Sequence, residues 1–138
     1  MRMSLFEKSE CFRAFLLLVG VDGQIASDER QVLLTIGKKL DFEYRFCETA
    51  IDDLLENRFI SSDPPIFSRK EIAESFLRDG IRIAFLDDQL HPNEADWLAR
   101  IAQRNGLSVD WIGTEIAALQ KRRQPISCEE TMEIEKHI

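Results

Sequence analysis

Residues 21–40 read VDGQIASDERQVLLTIGKKL, and residues 87–106 read DDQLHPNEADWLARIAQRNG. Sliding the first stretch by 65 positions lays Asp22 on Asp87, Gln24 on Gln89, Ile25 on Leu90, Glu29 on Glu94, Leu33 on Leu98 and Ile36 on Ile101. An acidic turn followed by an amphipathic helix therefore occurs twice. The expectation is an all-α single domain, a helical bundle of two related helix-turn-helix halves that hide each other's apolar faces, with about six or seven helices. The halves fall at residues 4–56 and 68–122, and residues 123–138 form a tail or short last helix.

Outward from the repeat, apolar spacing places the other elements. Residues 4–21 predict a first helix with Phe12, Phe15, Leu16 and Val19 on a stripe that Leu17, Leu18 and Val21 widen, which suits the centre of a bundle. Asp22-Gly23 ends it. Residues 28–40 predict a second helix, acidic in its first turn and basic in its last, in keeping with the helix dipole. Residues 43–56 predict a third, with Phe46, Ala50, Ile51, Leu54 and Leu55 inward. Ser61-Ser62-Asp63-Pro64-Pro65 breaks the pattern and joins the halves. Ser68 and Glu71 read as a capping box opening a fourth helix, with Gly80 expected to pack closely against the first. Pro92 opens a fifth helix, Asn105-Gly106 stops it, and Ser108 caps a sixth that ends before Pro125. Ser127 to Glu130 fits a further capping box, for a short helix over 128–136. No period-two alternation appears.

Composition bounds the partners. The net charge is −7 and the pI about 4.9, a field that repels phosphate backbones and attracts cations or a basic protein surface. Nucleic acid is excluded on that ground. The apolar run at 14–21 is too short for a membrane span, which needs about 20 residues, and charged residues crowd it, so it reads as buried helix. Cys11, Cys47 and Cys128 show no ligand spacing and read as reduced thiols of a cytoplasmic protein, the first two as core filler.

Chemistry concentrates in the repeated turn. D-G-x-I-x-x-x-E over 22–29 matches the second half of an EF-hand calcium loop, with Asp22 fifth, Gly23 sixth, Ile25 eighth and Glu29 twelfth. The first half fails: Leu18 and Gly20 stand where carboxylates belong, as do Ile83 and Phe85 in the second copy, where Asp88 replaces the glycine. Either copy alone offers too few oxygens for calcium. Two readings remain for the acids. Glu29 and Glu94 fall near the third helical position, where a carboxylate reaches back to the cap amide, and Asp22 and Asp87 accept from turn amides. Alternatively, a pseudo-two-fold axis brings Asp22, Glu29, Asp87, Asp88 and Glu94 together on one divalent cation.

These residues carry a resemblance. The D-G-x-I-x-x-x-E turn after an apolar helix, repeated as DDQLHPNE, resembles the TerB family associated with tellurite resistance and stress, and the TerB-like domain of membrane-anchored DnaJ-type cochaperones. The resemblance spans about residues 12–119. It implies an all-helical bundle of two related halves, no enzymatic activity, and binding of a divalent cation or a protein partner at Asp22, Gly23, Glu29, Asp87 and Glu94. Asp88 departs from the family pattern. With no J domain and no transmembrane helix in this sequence, the cochaperone role does not carry over.

The functional expectation is a non-enzymatic, cytoplasmic stress-response module. The rival is a small metal-dependent enzyme using the five acids, and a third reading is an oligomerisation domain with an exposed apolar stripe. His91 reads as a cap-region surface residue and His137 as part of a mobile end. Trp97 and Trp111 read as core, and Arg122-Arg123 as a helix-end charge run. No nucleophile triad, P-loop or dinucleotide motif is present.

Overall fold

The computed structural model describes residues 2–20, 25–55, 63–85, 90–122 and 132–138. Among these it is all-helical: α1 (Leu5–Val19), α2 (Ser27–Lys39), α3 (Tyr44–Leu55), α4 (Lys70–Ala84), α5 (Pro92–Arg104), α6 (Val109–Arg122) and a 3-10 turn over Glu133–His137. The helices start at 5, 27 and 44, then at 70, 92 and 109, so the second triplet begins everywhere 65 residues after the first.

The boundaries follow from capping chemistry. Ser4 and Glu7 cap each other reciprocally at the start of α1: the Glu7 amide donates to Ser4 Oγ at 3.1 Å and the Ser4 amide to Glu7 Oε1 at 3.2 Å. The Trp111 amide donates to Ser108 Oγ at 3.1 Å, the cap expected for α6. Both second helices end in the same way. Leu40 and Asn105 are their C-caps, and the next residues, Asp41 and Gly106, take φ of 69° and 76°. This left-handed conformation closes the last turn, free of strain for glycine and costly for aspartate.

Two expected features are realised differently. The box at Ser68 does not form. The Ser68 amide and hydroxyl both donate to Glu7 Oε2, at 3.1 and 2.7 Å, and Arg69 becomes the N-cap of α4. A charged acceptor on α1 outcompetes the local glutamate because it takes two donors at once. On α3 the core face is Cys47 and Ile51; Phe46 is 51% exposed and Leu55 also faces outward. The first helix closes earlier than the expected Asp22-Gly23 stop, with Gly20 as its C-cap and its amide donating to the Leu16 carbonyl; Asp22, Gly23 and the box at 127–130 with Cys128 lie outside the described residues.

The core lies where the triplets meet. The Phe15 and Phe76 rings, from α1 and α4, stand 4.5 Å apart between centroids, and Phe67 packs on Phe76 at 5.6 Å. Trp97 of α5 is buried and its Nε1–H donates to the Ala14 carbonyl of α1 at 3.1 Å. Gly80 is a close-approach site: a Cβ there would fall 2.9 Å from Leu98 Cδ2 on α5 and 3.5 Å from Leu18 Cδ2 on α1. Its tightest neighbour is thus α5, with α1 next, rather than α1 alone. Cys11 and Cys47 are buried, as filler should be.

Candidate functional site

Glu29 and Glu94 occupy equivalent places, each the third residue of its helix, after the N-caps Ala26 and His91. Neither cap residue makes a side-chain capping hydrogen bond, so the amides at each helix start need another acceptor. Glu29 Oε1 accepts from the Ala26 amide at 2.9 Å, and Glu94 Oε1 from the His91 amide at 3.1 Å. Both also lie against the positive helix end. Glu94 is the more deeply set, at 8% exposure. The structure thus gives both glutamates the capping role. Asp22, Asp87 and Asp88, with Gly23, lie outside the described residues.

The family resemblance implies a divalent cation. Among the described residues no group of three or more His, Cys, Asp or Glu stands close enough to hold a metal ion. One oxygen of each described glutamate is already engaged by an amide. The described donors do not amount to a cation cage. His91 is an exposed N-cap residue. Trp111 is half-buried, with the Arg78 guanidinium 5.5 Å from its ring centroid.

A second cluster is the one the sequence reading missed. Ser75 and Asp79, one turn apart on α4, face the C-terminal segment 132–138, which packs along that helix. Asp79 is 1% exposed. Its Oδ1 accepts from the Glu133 amide at 2.8 Å and its Oδ2 from the Ile134 amide at 2.9 Å. Burial pushes this carboxyl up to about 6, against the pull of the two amides and of Arg82. His137, expected to be mobile, is instead buried at 9% exposure. Its Nε2 lies 3.1 Å from Ser75 Oγ and its Nδ1 3.3 Å from an Arg69 guanidinium nitrogen. Burial pushes the imidazole below its ordinary value, and the charges of Arg69, the amino terminus and Lys136 act the same way.

The segment is held at further points. Lys39 Nζ meets Glu135 Oε1 at 2.7 Å, and the Met3 amide donates to the His137 carbonyl at 2.5 Å. Met132 and Ile134 join the core. One signal was available beforehand: Asp79 sits at helical spacing among Ile72, Phe76 and Ile83, and its counterpart in the first half is Ala14. A carboxylate on an apolar face, where the repeat has alanine, announces a buried polar partner. Burial also keeps Cys11 protonated, well above the usual thiol range, and the nearby Asp79 charge adds to this, so it is no nucleophile.

No family model, curated protein or solved structure matches this chain. Among the described residues no helix is long and apolar enough to cross a membrane.

Proposed function

We propose that the chain is a non-enzymatic, TerB-like helical module of the cytoplasm that acts in stress response, its two acidic turns meeting the basic surface of a protein partner. The observation that carries this reading is the equivalent seating of Glu29 and Glu94. Each is fixed at the start of the second helix of its triplet by a cap amide, so each acidic turn leads into a rigid helix end. The net charge of −7 favours a basic partner by long-range attraction. A divalent cation at the same turns is the competing occupant, and it separates cleanly by experiment.

The test is a titration of calcium, magnesium, manganese and zinc into the protein with melting temperature as the readout, beside a capture experiment from lysate at low and high salt. Each is repeated on the Asp22→Ala, Asp87→Ala double variant. A ligand of the folded state raises the melting temperature, by a few degrees at about a hundredfold excess over Kd. The expected result is no metal shift and a salt-sensitive protein capture that the double variant loses. A metal shift abolished by the double variant reassigns the turns to a cation. Capture that survives the double variant overturns the proposal.

A further inference from the structure

The leading helices of the two triplets, α1 and α4, run side by side in the same direction. Glu7 meets Ser68, Phe15 meets Phe76 and Leu18 faces Gly80, so residue numbers rise together along the pair. Both N-termini, with their positive dipole ends, therefore share one end of the bundle. The chain leaves both helices at the other end, toward Glu29 and Glu94. Helices of 15 residues set the two ends about 20 Å apart.

The first end carries apolar side chains that nothing covers. Leu5 and Phe6, in the first turn of α1, are 71% and 70% exposed. Segment 63–68 runs beside that helix, held by Arg13 Nη1 on the Asp63 carbonyl at 2.9 Å and by Glu7 on Ser68, and it presents the exposed Ile66. Leu5 shares its stripe of α1 with Phe12, against which the rings of Phe42 and the exposed Phe46 pack. Four of the seven large apolar residues exposed among the described ones thus gather round the first half of α1, which marks a docking surface rather than scatter. The same end is basic within an acidic molecule. Arg2 and Lys70 are exposed and Lys8 is half-buried, and among the described residues none of the three is ion-paired. Arg69 joins them beside the C-terminal strap, residues 132–138, whose His137 carbonyl accepts from the Met3 amide. Glu10 and Glu133 are neutralised by Arg13 and Lys136, which leaves Glu7 and Glu71 against these four cations. The excess negative charge lies elsewhere, and salt screens it over about 8 Å.

We propose that this end docks on the surface of an anionic lipid bilayer, with Leu5 and Phe6 entering the boundary between headgroups and acyl chains while Arg2, Lys8 and Lys70 meet lipid phosphates. Such docking needs protruding side chains and no spanning helix. A bilayer answers both the apolar and the basic character of the end. The acidic end of a second copy matches the charge alone, since the large apolar residue exposed there is Leu55, next to the Leu54 that packs on Gly20. Docking here leaves Glu29 and Glu94 about 20 Å away in solvent.

The experiment is co-sedimentation of the full chain with vesicles of phosphatidylcholine, alone or with about one-third phosphatidylserine, at low and raised salt. Binding is expected to the anionic vesicles only, and to weaken as salt screens the basic side chains. Leu5→Ser with Phe6→Ser is expected to cut it at least about tenfold, because two apolar side chains lose their transfer out of water. Lys8→Gln with Lys70→Gln is expected to cut it by more than about tenfold, at about fivefold per charge near the membrane surface. Leu55→Ser, at the far end, is expected to bind as wild type does. Helical circular dichroism and melting temperature check that each variant keeps its fold. Failure to bind anionic vesicles overturns the proposal, as does binding that the Leu5 and Phe6 changes leave intact. Concentration-dependent dimerisation that those changes abolish, without vesicle binding, overturns it in favour of a second copy.

Discussion

Glu7 does two jobs with one carboxylate. Oε1 accepts the Ser4 amide at the head of α1, while Oε2 takes the Ser68 amide and hydroxyl at the approach to α4. Partial burial works to raise its pKa, but the Ser68 and Ser4 hydrogen bonds outweigh it and hold the carboxyl below its ordinary value. A depressed acid contributes stability above its unfolded value of 4.5 and loses it as pH falls through the folded one. Glu7→Gln is therefore expected to be less stable than wild type at pH 7, with the gap closing below about pH 4.5. Urea unfolding of both proteins from pH 3 to 7 checks this, and a gap that stays constant with pH assigns Glu7 a packing role only. At this scale the sequence spoke clearly where partners are near. Glu29, Glu94 and Ser108 were legible because a cap lies within three or four residues of its helix. Ser68 misled because its acceptor lies 61 residues away. Asp79 and His137 were missed for the same reason, 54 to 62 residues separating His137 and the strap amides from their α4 partners.

Among elements, the paired ends of α2 and α5 offer a controlled comparison. Asp41 and Gly106 hold equivalent positive-φ positions, yet only the glycine escapes the Cβ penalty. Asp41→Gly is expected to stabilise the protein by up to about 1 kcal/mol, and Gly106→Ala to destabilise it by about 1–2 kcal/mol, although nothing lies within 4 Å of the added Cβ. Thermal unfolding of the two variants measures both; equal and same-signed effects would contradict a conformational origin. Helix existence could be read from periodicity and caps, but facing could not always. On α3 every apolar residue from Phe46 to Leu55 looked inward, while the core selects the Cys47–Ile51 line and leaves Phe46 to stack at the surface on Phe42, 5.2 Å away. Periodicity names a stripe, and the packing of neighbouring helices decides which edge of it is covered.

For the molecule as a whole, the triplets are interdependent. Phe15 of α1 meets Phe76 of α4, and Trp97 of α5 donates to the Ala14 carbonyl of α1. A fragment of residues 1–62 strips α1 of these partners and exposes Phe15 and Leu18, both fully buried in the whole chain. It is expected to be unfolded as a monomer, with any helical circular dichroism dependent on concentration, as two fragments stand in for the missing triplet. Cooperative unfolding at a midpoint independent of concentration would show that one triplet suffices. The repeat was legible at this scale because it is written in the order of the residues. The seating of the strap was not, since it pairs the end of the chain with α4, α2 and residue 3 at once.

The contact between the Met3 amide and the His137 carbonyl brings the two ends of the described fold together. Joined by a short peptide, they make a closed loop of chain in which the order of the triplets has no beginning. Such a circle, cut again between the triplets, encodes the same packing with α4 to α6 ahead of α1 to α3. The present order is then one of two equivalent ways of threading this architecture.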